Sequence, residues 1–334
     1  MVSRYVKASL LVAVLCTLLP RVALWLLSLF AEPCRAIPHE DFLTKGVDCR
    51  APAMPLEPAQ GADLSMVHVV YSDSSLHRGL LHSLLSVSRH LGEPERCSLH
   101  LVVRPENMAA ARQLAECFRR EREGSERPDW PALRLHELRP MPYDLETLDF
   151  NRPELKVPET FVRLFLHEYL PSAPRALWLD TDTIATADVA PLYRMPMRHV
   201  VAAAWDFGKD TKVRAELKGT NRFKFNTGVL LVDLAQWRAM NVSGRVAELM
   251  PKYGGRNGEL VLLNKVFERY DRLDWRWNLV GLFLRDLPPV CIKQARILHW
   301  SWFNKPWYSV RHRTCRGYDH FFEENAPKHK CRAV

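Results

Sequence analysis

Two aspartates separated by a single residue, Asp180 and Asp182, are the side chains of this sequence best suited to chemistry. They follow the apolar residues 176–179, which predict a buried strand that ends where the acids begin. Alternate side chains of an extended chain point to the same face, so both carboxylates can approach one hard divalent cation. Because open α/β sheets hold their ligands at strand ends, the pair favours a Mn²⁺- or Mg²⁺-assisted transfer from a phosphate-bearing donor.

The elements around this pair alternate between strands and helices. Besides the strand that ends at Asp180, the sequence predicts strands at 67–71, 99–103, 133–138, 199–205, 227–233 and 296–299. It predicts helices at 76–91, 105–120, 158–170, 244–253 and 259–270. Such alternation is typical of a mostly parallel α/β sheet flanked by helices. We expect one domain from residue 66 to residue 334, ending in a basic tail that contains cysteines.

The N-terminal part of the chain does not fit this pattern. Residues 8–31 are predominantly apolar, and Arg4 and Lys7 precede them. About 20 apolar residues cross a bilayer, and positive residues before them favour a cytosolic N-terminus. We therefore expect a cytosolic tail and signal anchor at 1–31, with a cleaved signal peptide as the alternative. The five prolines of 32–65 predict a stem.

This topology places the domain in the lumen of the Golgi or ER, as a single-pass type II membrane protein, or outside the cell if the N-terminal segment is cleaved. Asn241-Val242-Ser243 is a glycosylation sequon, which agrees with a lumenal domain. The 8 cysteines favour disulfides in an oxidising compartment, although their pairing does not follow from sequence. No Cys-x-x-Cys spacing suggests zinc.

The net charge of +9 is densest in the C-terminal tail. A basic surface attracts phosphates, acidic acceptors or anionic lipid. Because no nucleic-acid-binding motif accompanies it, we expect a solvated basic face that attracts a nucleotide and no nucleic-acid partner.

Four stretches, in this order, resemble glycosyltransferase family 8, whose members have a GT-A fold and retain the anomeric configuration. They are Tyr71–Asp73, Phe161–Leu164 with Leu179–Asp182, Phe225–Leu231, and His299 with Lys305–Trp307. The resemblance runs from about residue 67 to residue 307. It implies transfer of a hexose or pentose from a UDP-sugar to a hydroxyl group of a glycan, glycoprotein or lipid.

The resemblance also implies roles for individual residues. Asp180, Asp182 and His299 would bind the metal, and a mixed carboxylate and imidazole set suits Mn²⁺ better than Ca²⁺. The nucleotide-sugar would contact Tyr71, Asp73, Ser75, Arg163, Asp180, Thr181, Asp182, Asn226, Thr227 and Lys305. Glu259, Asp206 and Asn226 would serve the reaction. Without the resemblance, Asp73 would be a helix cap and Asn226 a turn residue.

Three positions depart from the pattern of the family. Trp302 stands where the family has a glycine near the diphosphate, Leu260 replaces an amide beneath the sugar, and Leu76 replaces an aromatic near the base. One alternative is therefore a weakened homologue that binds a sugar nucleotide or glycan without turnover. Another is a haloacid-dehalogenase-like phosphatase, because residues 179–184 also fit its Asp-x-Asp-x-Thr strand. That family expects the motif on its first strand, and here three strands precede it.

Overall fold

The structure is a computed structural model. It describes residues 49, 51, 56–59, 64–73, 75–76, 78–125, 129–150, 155–206, 225–255, 258–282, 287–301, 305–307 and 318–329. Within these residues no helix is both long enough and apolar enough to cross a bilayer. The predicted anchor and most of the predicted stem lie outside them.

Strands and helices alternate through most of the described chain. The strands are β1 (Val67–Ser72), β2 (Cys97–Val103), β3 (Ala132–Glu137), β4 (Arg175–Leu179), β5 (Thr183–Ala185), β6 (Val201–Trp205), β7 (Phe225–Asp233), β8 (Asp271–Leu273), β9 (Leu279–Val280) and β10 (Ile297–His299). The α-helices are α1 (Arg78–His90), α2 (Met108–Glu123), α3 (Leu166–Tyr169), α4 (Ala190–Arg194), α5 (Leu234–Ala239), α6 (Val242–Tyr253), α7 (Glu259–Val266), α8 (Pro289–Gln294) and α9 (Asp319–Glu323). Of the 3₁₀ helices, Pro158–Leu164 precedes α3 and Trp275–Trp277 precedes β9.

The strands form two sheets. One has seven strands in the order β3-β2-β1-β4-β7-β6-β8, and the other has three in the order β5-β10-β9. Strands β1 to β4 pair in parallel, whereas β7 runs antiparallel to both β4 and β6. The predicted α/β fold, with a mostly parallel sheet and flanking helices, is confirmed. Because β7 is antiparallel to β4, its first residues, up to Gly228, lie at the end of β4 beside Asp180.

The central strands of the seven-stranded sheet are buried on both faces, whereas the edge strand β3 is partly exposed. Val69 and Leu177 belong to the apolar cluster on one face, and their chain neighbours Val70 and Trp178 belong to the cluster on the other. All residues of β2 are buried. Because successive strand residues point to opposite faces, this pattern requires apolar layers on both sides, which the helices supply.

The main differences from the predicted elements have local causes. Helix α1 begins at Arg78 and not at Leu76, because Leu76 has a positive φ of 49°, which an α-helix excludes. The predicted helix 158–170 is a 3₁₀ helix followed by the short α3. A 3₁₀ helix of seven residues is uncommon. Five of these seven residues are buried, so we attribute the 3₁₀ conformation to their packing.

Parts of the predicted proline-rich stem pack against the domain. Cys49 is fully buried and forms a disulfide with Cys291 of α8, with the Cα atoms 4.9 Å apart. Arg276 and Gln294 donate hydrogen bonds to the backbone oxygens of Ala51 and Cys49, respectively. These contacts tie residues 49 and 51 to the elements that precede β10. The boundary between stem and domain stays a prediction.

The described C-terminal residues also pack against the domain, through α9. Phe322 is buried, and its ring centroid lies 6.5 Å from that of Trp300 and 5.6 Å from that of Trp307. The Trp307 ring lies so close to α1 that a Cβ on Gly79 would approach it to 2.4 Å. Helix α9 and α1 therefore support residues 305–307, which carry the predicted phosphate-binding lysine.

A chain of three histidines crosses β1, β2 and β3. His68 Nδ1 lies 3.1 Å from His100 Nε2, and His100 Nδ1 lies 2.9 Å from His136 Nε2. Burial, followed by repulsion from the two neighbouring histidines and Arg134, lowers the pKa of His100 to about 3. Burial also lowers the pKa of His68 and of His136. The rings are therefore neutral at neutral pH, and each contact pairs one N–H with one lone pair.

We expect the free energy of unfolding to decrease as the pH falls below 6.5, the ordinary histidine pKa. The folded pKa values are depressed, so the unfolded chain binds more protons between pH 6.5 and about 3, and this uptake favours unfolding. One such histidine contributes a slope of up to about 1.4 kcal/mol per pH unit. His100→Gln should remove this contribution in urea unfolding at several pH values, whereas His90→Gln, at an exposed site, should not. An unchanged slope in the His100 variant would contradict the prediction.

Candidate metal centre

Asp180, Asp182 and His299 meet where the two sheets adjoin. Asp180 follows β4, Asp182 precedes β5, and His299 ends β10. Strand β10 pairs antiparallel with β5, which places His299 opposite Thr183. The backbone N–H of Asp180 donates to the oxygen of Gly228 in β7 at 2.8 Å. Strand pairing thus brings a histidine from the end of the chain beside the two acids.

One ligand atom from each of these three residues lies within 4.8 Å of the other two. His299 Nε2 is 3.2 Å from Asp182 Oδ1 and 3.8 Å from Asp180 Oδ2. His299 and Asp182 are buried, and Asp180 is half-buried. The structure therefore brings the three predicted metal ligands together.

The two aspartates converge because of a turn and not because of an extended strand. Residues 181 and 182 form a turn between β4 and β5. The backbone oxygen of Asp180 accepts hydrogen bonds from the N–H of Thr183 at 3.2 Å and from its hydroxyl at 2.7 Å. The two carboxylates converge as predicted, but the prediction that an extended strand brings them together was wrong.

Each carboxylate directs one oxygen towards the centre and uses the other for neighbouring donors. Asp180 Oδ1 accepts from Trp178 Nε1 at 2.8 Å and lies 3.0 Å from Arg163 Nη2. Asp182 Oδ2 accepts from Lys305 Nζ. Burial by itself would raise the pKa of Asp182, but the charge of Lys305 opposes it most strongly, and the pKa lies below its usual range. Asp182 is therefore ionised at neutral pH.

Only a glycine fits at position 228, beside the ligands. A Cβ at this position would lie 2.2 Å from His299 Cε1 and 2.8 Å from Asp180 Oδ2. A side chain would thus press on two of the three ligands. Two carboxylate oxygens and an imidazole nitrogen form a donor set that suits a divalent cation such as Mn²⁺. The donors fit such an ion, and Gly228 keeps their surroundings free of a further side chain.

A buried ion pair lies beside the centre. Arg163 Nη1 is 3.1 Å from Glu259 Oε1 and donates to the backbone oxygen of Thr227 at 2.8 Å. Thr227 donates its hydroxyl to Glu259 Oε1 at 3.0 Å, and the Arg163 guanidinium stacks 4.4 Å from the Trp178 ring centroid. Burial raises the pKa of Glu259, and the charge of Arg163 opposes the shift. One guanidinium therefore links Glu259 to Asp180.

The predicted nucleotide-binding residues at the end of β1 form a separate local structure. Tyr71 is fully buried, and its hydroxyl accepts a hydrogen bond from Ser83 at 3.4 Å, so its side chain belongs to the core. Asp73 Oδ1 accepts from the N–H of Ser75 at 2.9 Å and from its hydroxyl at 3.3 Å. Asp73 therefore closes a local turn with Ser75, three residues before α1 begins at Arg78, and its role as a helix cap stays a prediction. Contact of these residues with a nucleotide stays a prediction.

Four further positions were singled out by the sequence. Thr181 is half-buried in the turn between the two aspartates, and Asp206 is half-buried directly after β6. Leu260 is half-buried in the first turn of α7. Trp302, expected to crowd the diphosphate, lies outside the described residues. The roles of Thr181 and Asp206 stay predictions.

Two buried asparagines were not among the predicted site residues. Asn264 of α7 accepts from the backbone N–H of Phe225 at 3.0 Å and donates to its oxygen at 3.1 Å, which fixes the start of β7. Asn278 lies 2.9 Å from His299 and 2.8 Å from the predicted site residue Asn226. Asn278 stands between two apolar residues in the sequence. That pattern indicates a buried polar group but not its partner.

Comparisons with known proteins agree with this geometry. The model of glycosyl transferase family 8 matches residues 72–311. Probable galacturonosyltransferase-like 3 of Arabidopsis thaliana is 26% identical in an alignment 269 residues long that covers 73% of this chain and 75% of that protein.

Two solved structures share the fold. Galactosyltransferase LgtC, in complex with donor and acceptor sugar analogs, has a TM-score of 0.60 at 19% identity, over 78% of this chain and 95% of that one. The bifunctional glycosyltransferase WbbM in its apo form has a TM-score of 0.60 at 17% identity, over 80% of this chain and 50% of that one. The α/β fold is thus of the GT-A type.

Proposed function

This chain belongs to glycosyltransferase family 8, and from that premise we propose that it moves a hexose or pentose from a UDP-sugar to a hydroxyl group of a glycan, glycoprotein or lipid, with retention of the anomeric configuration. The observation that carries the proposal is the convergence of Asp180, Asp182 and His299 within 4.8 Å. We infer that these residues bind Mn²⁺, or Mg²⁺ in its place.

The positive charge needed by a departing diphosphate comes from two sources. When bound, the divalent ion offsets the growing negative charge as a Lewis acid. Lys305 adds an ammonium group at the same place, since it donates to Asp182 and to the backbone oxygen of Trp300 at 2.8 Å. An ammonium group has three donors, and these contacts among the described residues use two of them. We infer that the third binds a phosphate oxygen.

Arg163 and Glu259 organise the sugar side of the site. Glu259 Oε1 is held by both Arg163 and Thr227, an arrangement that orients a carboxylate and does not free it for attack. We infer that Glu259 positions the donor and forms no covalent intermediate. The acceptor hydroxyl would then attack from the side on which the diphosphate leaves, and a phosphate oxygen would take its proton.

A panel of UDP-sugars tests the proposal. UDP-glucose, UDP-galactose, UDP-xylose and UDP-glucuronic acid form the first panel, and UDP-galacturonic acid joins it because of the name of the similar Arabidopsis protein. We expect the lumenal domain to hydrolyse at least one of them with Mn²⁺ and to lose that activity with EDTA. If none is bound or hydrolysed at any Mn²⁺ concentration, the proposal is wrong.

A homologue that binds sugar nucleotides without turnover is the second candidate. Leu260, half-buried in the first turn of α7, offers no amide to the sugar, and this favours the candidate. Calorimetry with UDP beside the hydrolysis assay separates the two, because the second candidate binds UDP and hydrolyses nothing. The phosphatase alternative does not fit, since β4 is preceded by β1, β2 and β3.

We further propose that the domain lies in the lumen of the Golgi or ER and is held there by residues 1–31 as a type II anchor. The disulfide between Cys49 and Cys291 supports this proposal, as does the disulfide-bonded state of Cys117, because such bonds persist in oxidising compartments. Asn241 of the sequon is exposed between α5 and α6, where a glycan would meet solvent.

Expression of the full chain in secretory cells tests this location. Peptide N-glycosidase should increase the gel mobility of the parent, and Asn241→Gln should already migrate at the faster position. Carbonate extraction should leave the parent in the membrane pellet. A chain that is insensitive to the glycosidase and is released by carbonate would exclude a lumenal membrane protein.

A further inference from the structure

We propose that Asn278 is a positioning residue that holds His299 in the tautomer required for metal binding. The inference rests on the proposed metal site and assigns a function to a side chain outside the ligand set. Asn278 is fully buried, and its Oδ1 lies 2.9 Å from His299 Nδ1, the ring nitrogen that faces away from the aspartates.

The hydrogen bonds around Asn278 determine which atoms donate. The chain of contacts starts at the backbone N–H of Gly228, which is always a donor and lies 2.9 Å from the Asn226 side chain. The atom it meets must therefore be the acceptor oxygen of Asn226. That oxygen also lies 2.8 Å from the Asn278 amide, so Asn278 must present its NH₂ group to it. The opposite atom of Asn278, its oxygen, then faces His299.

This orientation fixes the proton of the imidazole. An amide oxygen only accepts, so the 2.9 Å contact requires a proton on His299 Nδ1. The nitrogen left to offer a lone pair to a metal is then Nε2, the atom that lies 3.2 Å from Asp182 and 3.8 Å from Asp180. Metal-bound histidines commonly donate their second N–H to such an oxygen, which orients the ring and fixes the tautomer.

The fold keeps Asn278 in place from both sides. It follows the 3₁₀ helix Trp275–Trp277, and its N–H donates to the backbone oxygen of Trp275 at 3.1 Å. Strand β9 begins at the next residue and pairs in parallel with β10, which sets Val280 beside His299. The side chain of Asn278 also contacts Asn226 of β7. His299 of the three-stranded sheet is therefore oriented by contacts that extend to the seven-stranded sheet.

Nuclear magnetic resonance on the ¹⁵N-histidine-labelled parent tests the tautomer without any substitution. Long-range ¹H–¹⁵N correlations distinguish Nδ1–H from Nε2–H, and the His299 signals are those that disappear in His299→Gln. We expect a proton on Nδ1 in the metal-free protein, whether or not Nε2 also carries one beside the ionised Asp182. A dominant Nε2–H tautomer would overturn the inference, whatever the protein does with metal or sugar.

Asn278→Leu tests the consequence for metal binding. We expect its Mn²⁺ affinity, measured by calorimetry or by the electron paramagnetic resonance of free Mn²⁺, to fall about 10–100-fold. Asn325→Leu removes another buried asparagine, bonded to Arg89 and Phe321, and is the control for stability. The Asn325→Leu variant should have a lower melting temperature than the parent and the same Mn²⁺ affinity.

The outcomes separate this inference from the proposed function. Parent-like Mn²⁺ affinity in a folded Asn278→Leu variant would overturn the positioning role and leave the metal site intact. A parent that binds no Mn²⁺ would overturn the metal site, while the tautomer measurement would still decide the role of Asn278.

Discussion

Replacing Asp182 with asparagine should lower kcat/KM for Mn²⁺-dependent sugar transfer by about 100-fold or more, since losing one electrostatic stabiliser costs about 3 kcal/mol. Asp182 supplies two contacts at once. Its Oδ1 faces His299 Nε2 at 3.2 Å, and its Oδ2 accepts from Lys305. The asparagine side chain lacks the negative charge that would face the ion. Its NH₂ group would lie against either the ammonium group of Lys305 or the imidazole of His299. The loss should appear in kcat as well as in the Mn²⁺ concentration required for half-maximal rate.

Asp188→Asn is a matched control on the same segment. Asp188 accepts from the backbone N–H of Ala190 at 2.8 Å and of Gly92 at 3.0 Å, so its loss should reduce stability without changing the response to Mn²⁺. Steady-state rates at several Mn²⁺ concentrations, with a melting curve for each variant, give the comparison. A parent rate and a parent Mn²⁺ dependence in Asp182→Asn would show that the metal assignment is wrong.

Gly228→Ala should abolish high-affinity Mn²⁺ binding and reduce transfer at least as much. The new methyl group would lie 2.2 Å from His299 Cε1 and 2.8 Å from Asp180 Oδ2, and both distances are far below van der Waals contact. The imidazole is 2% exposed, so we expect the methyl group to displace the ring and open the ligand set. Overpacking of this kind costs about 1–3 kcal/mol of stability, and we expect the melting temperature to fall accordingly.

Gly92→Ala is the control for adding a methyl group at a tight position. Its Cβ would lie 2.9 Å from Asp188 Oδ2, remote from the ligands, so the variant should lose some stability and keep its Mn²⁺ affinity. Calorimetric titration with Mn²⁺ at matched folded fraction distinguishes the two variants. Parent-like Mn²⁺ affinity in Gly228→Ala would mean that the ion does not lie between His299 and Asp180.

The long elements of this fold follow from the sequence because their apolar pattern extends over several turns or alternations. Strand β2 and helix α2 lie within a few residues of their predicted positions. Strands β5, β8, β9 and β10 have only two or three residues each, too few for a periodic signal. Of these, the sequence predicted only β10, and β5 and β9 form its sheet only through pairing across long sequence separations.

For the site, too, the sequence indicated some features and the tertiary structure determined others. Asp180, Asp182 and His299 were identified from their residue types and from the family resemblance, and the structure brings them together. Their arrangement has one local and one long-range cause. A turn closed by Thr183 aims the two acids, and the antiparallel pairing of β5 and β10 delivers the histidine.

By itself, the sequence determined the order of strands and helices and the residue types available to hold a cation, because hydrophobic period and side-chain chemistry are properties of the chain alone. Only the tertiary structure decided which oxygen of each aspartate faces the centre and that Asn278 orients His299. Those choices depend on groups that arrive from distant parts of the chain, such as Arg163 of the 3₁₀ helix, Lys305 after β10 and the backbone of Gly228 in β7. Their positions follow from strand register and packing, which the linear order of residues does not specify.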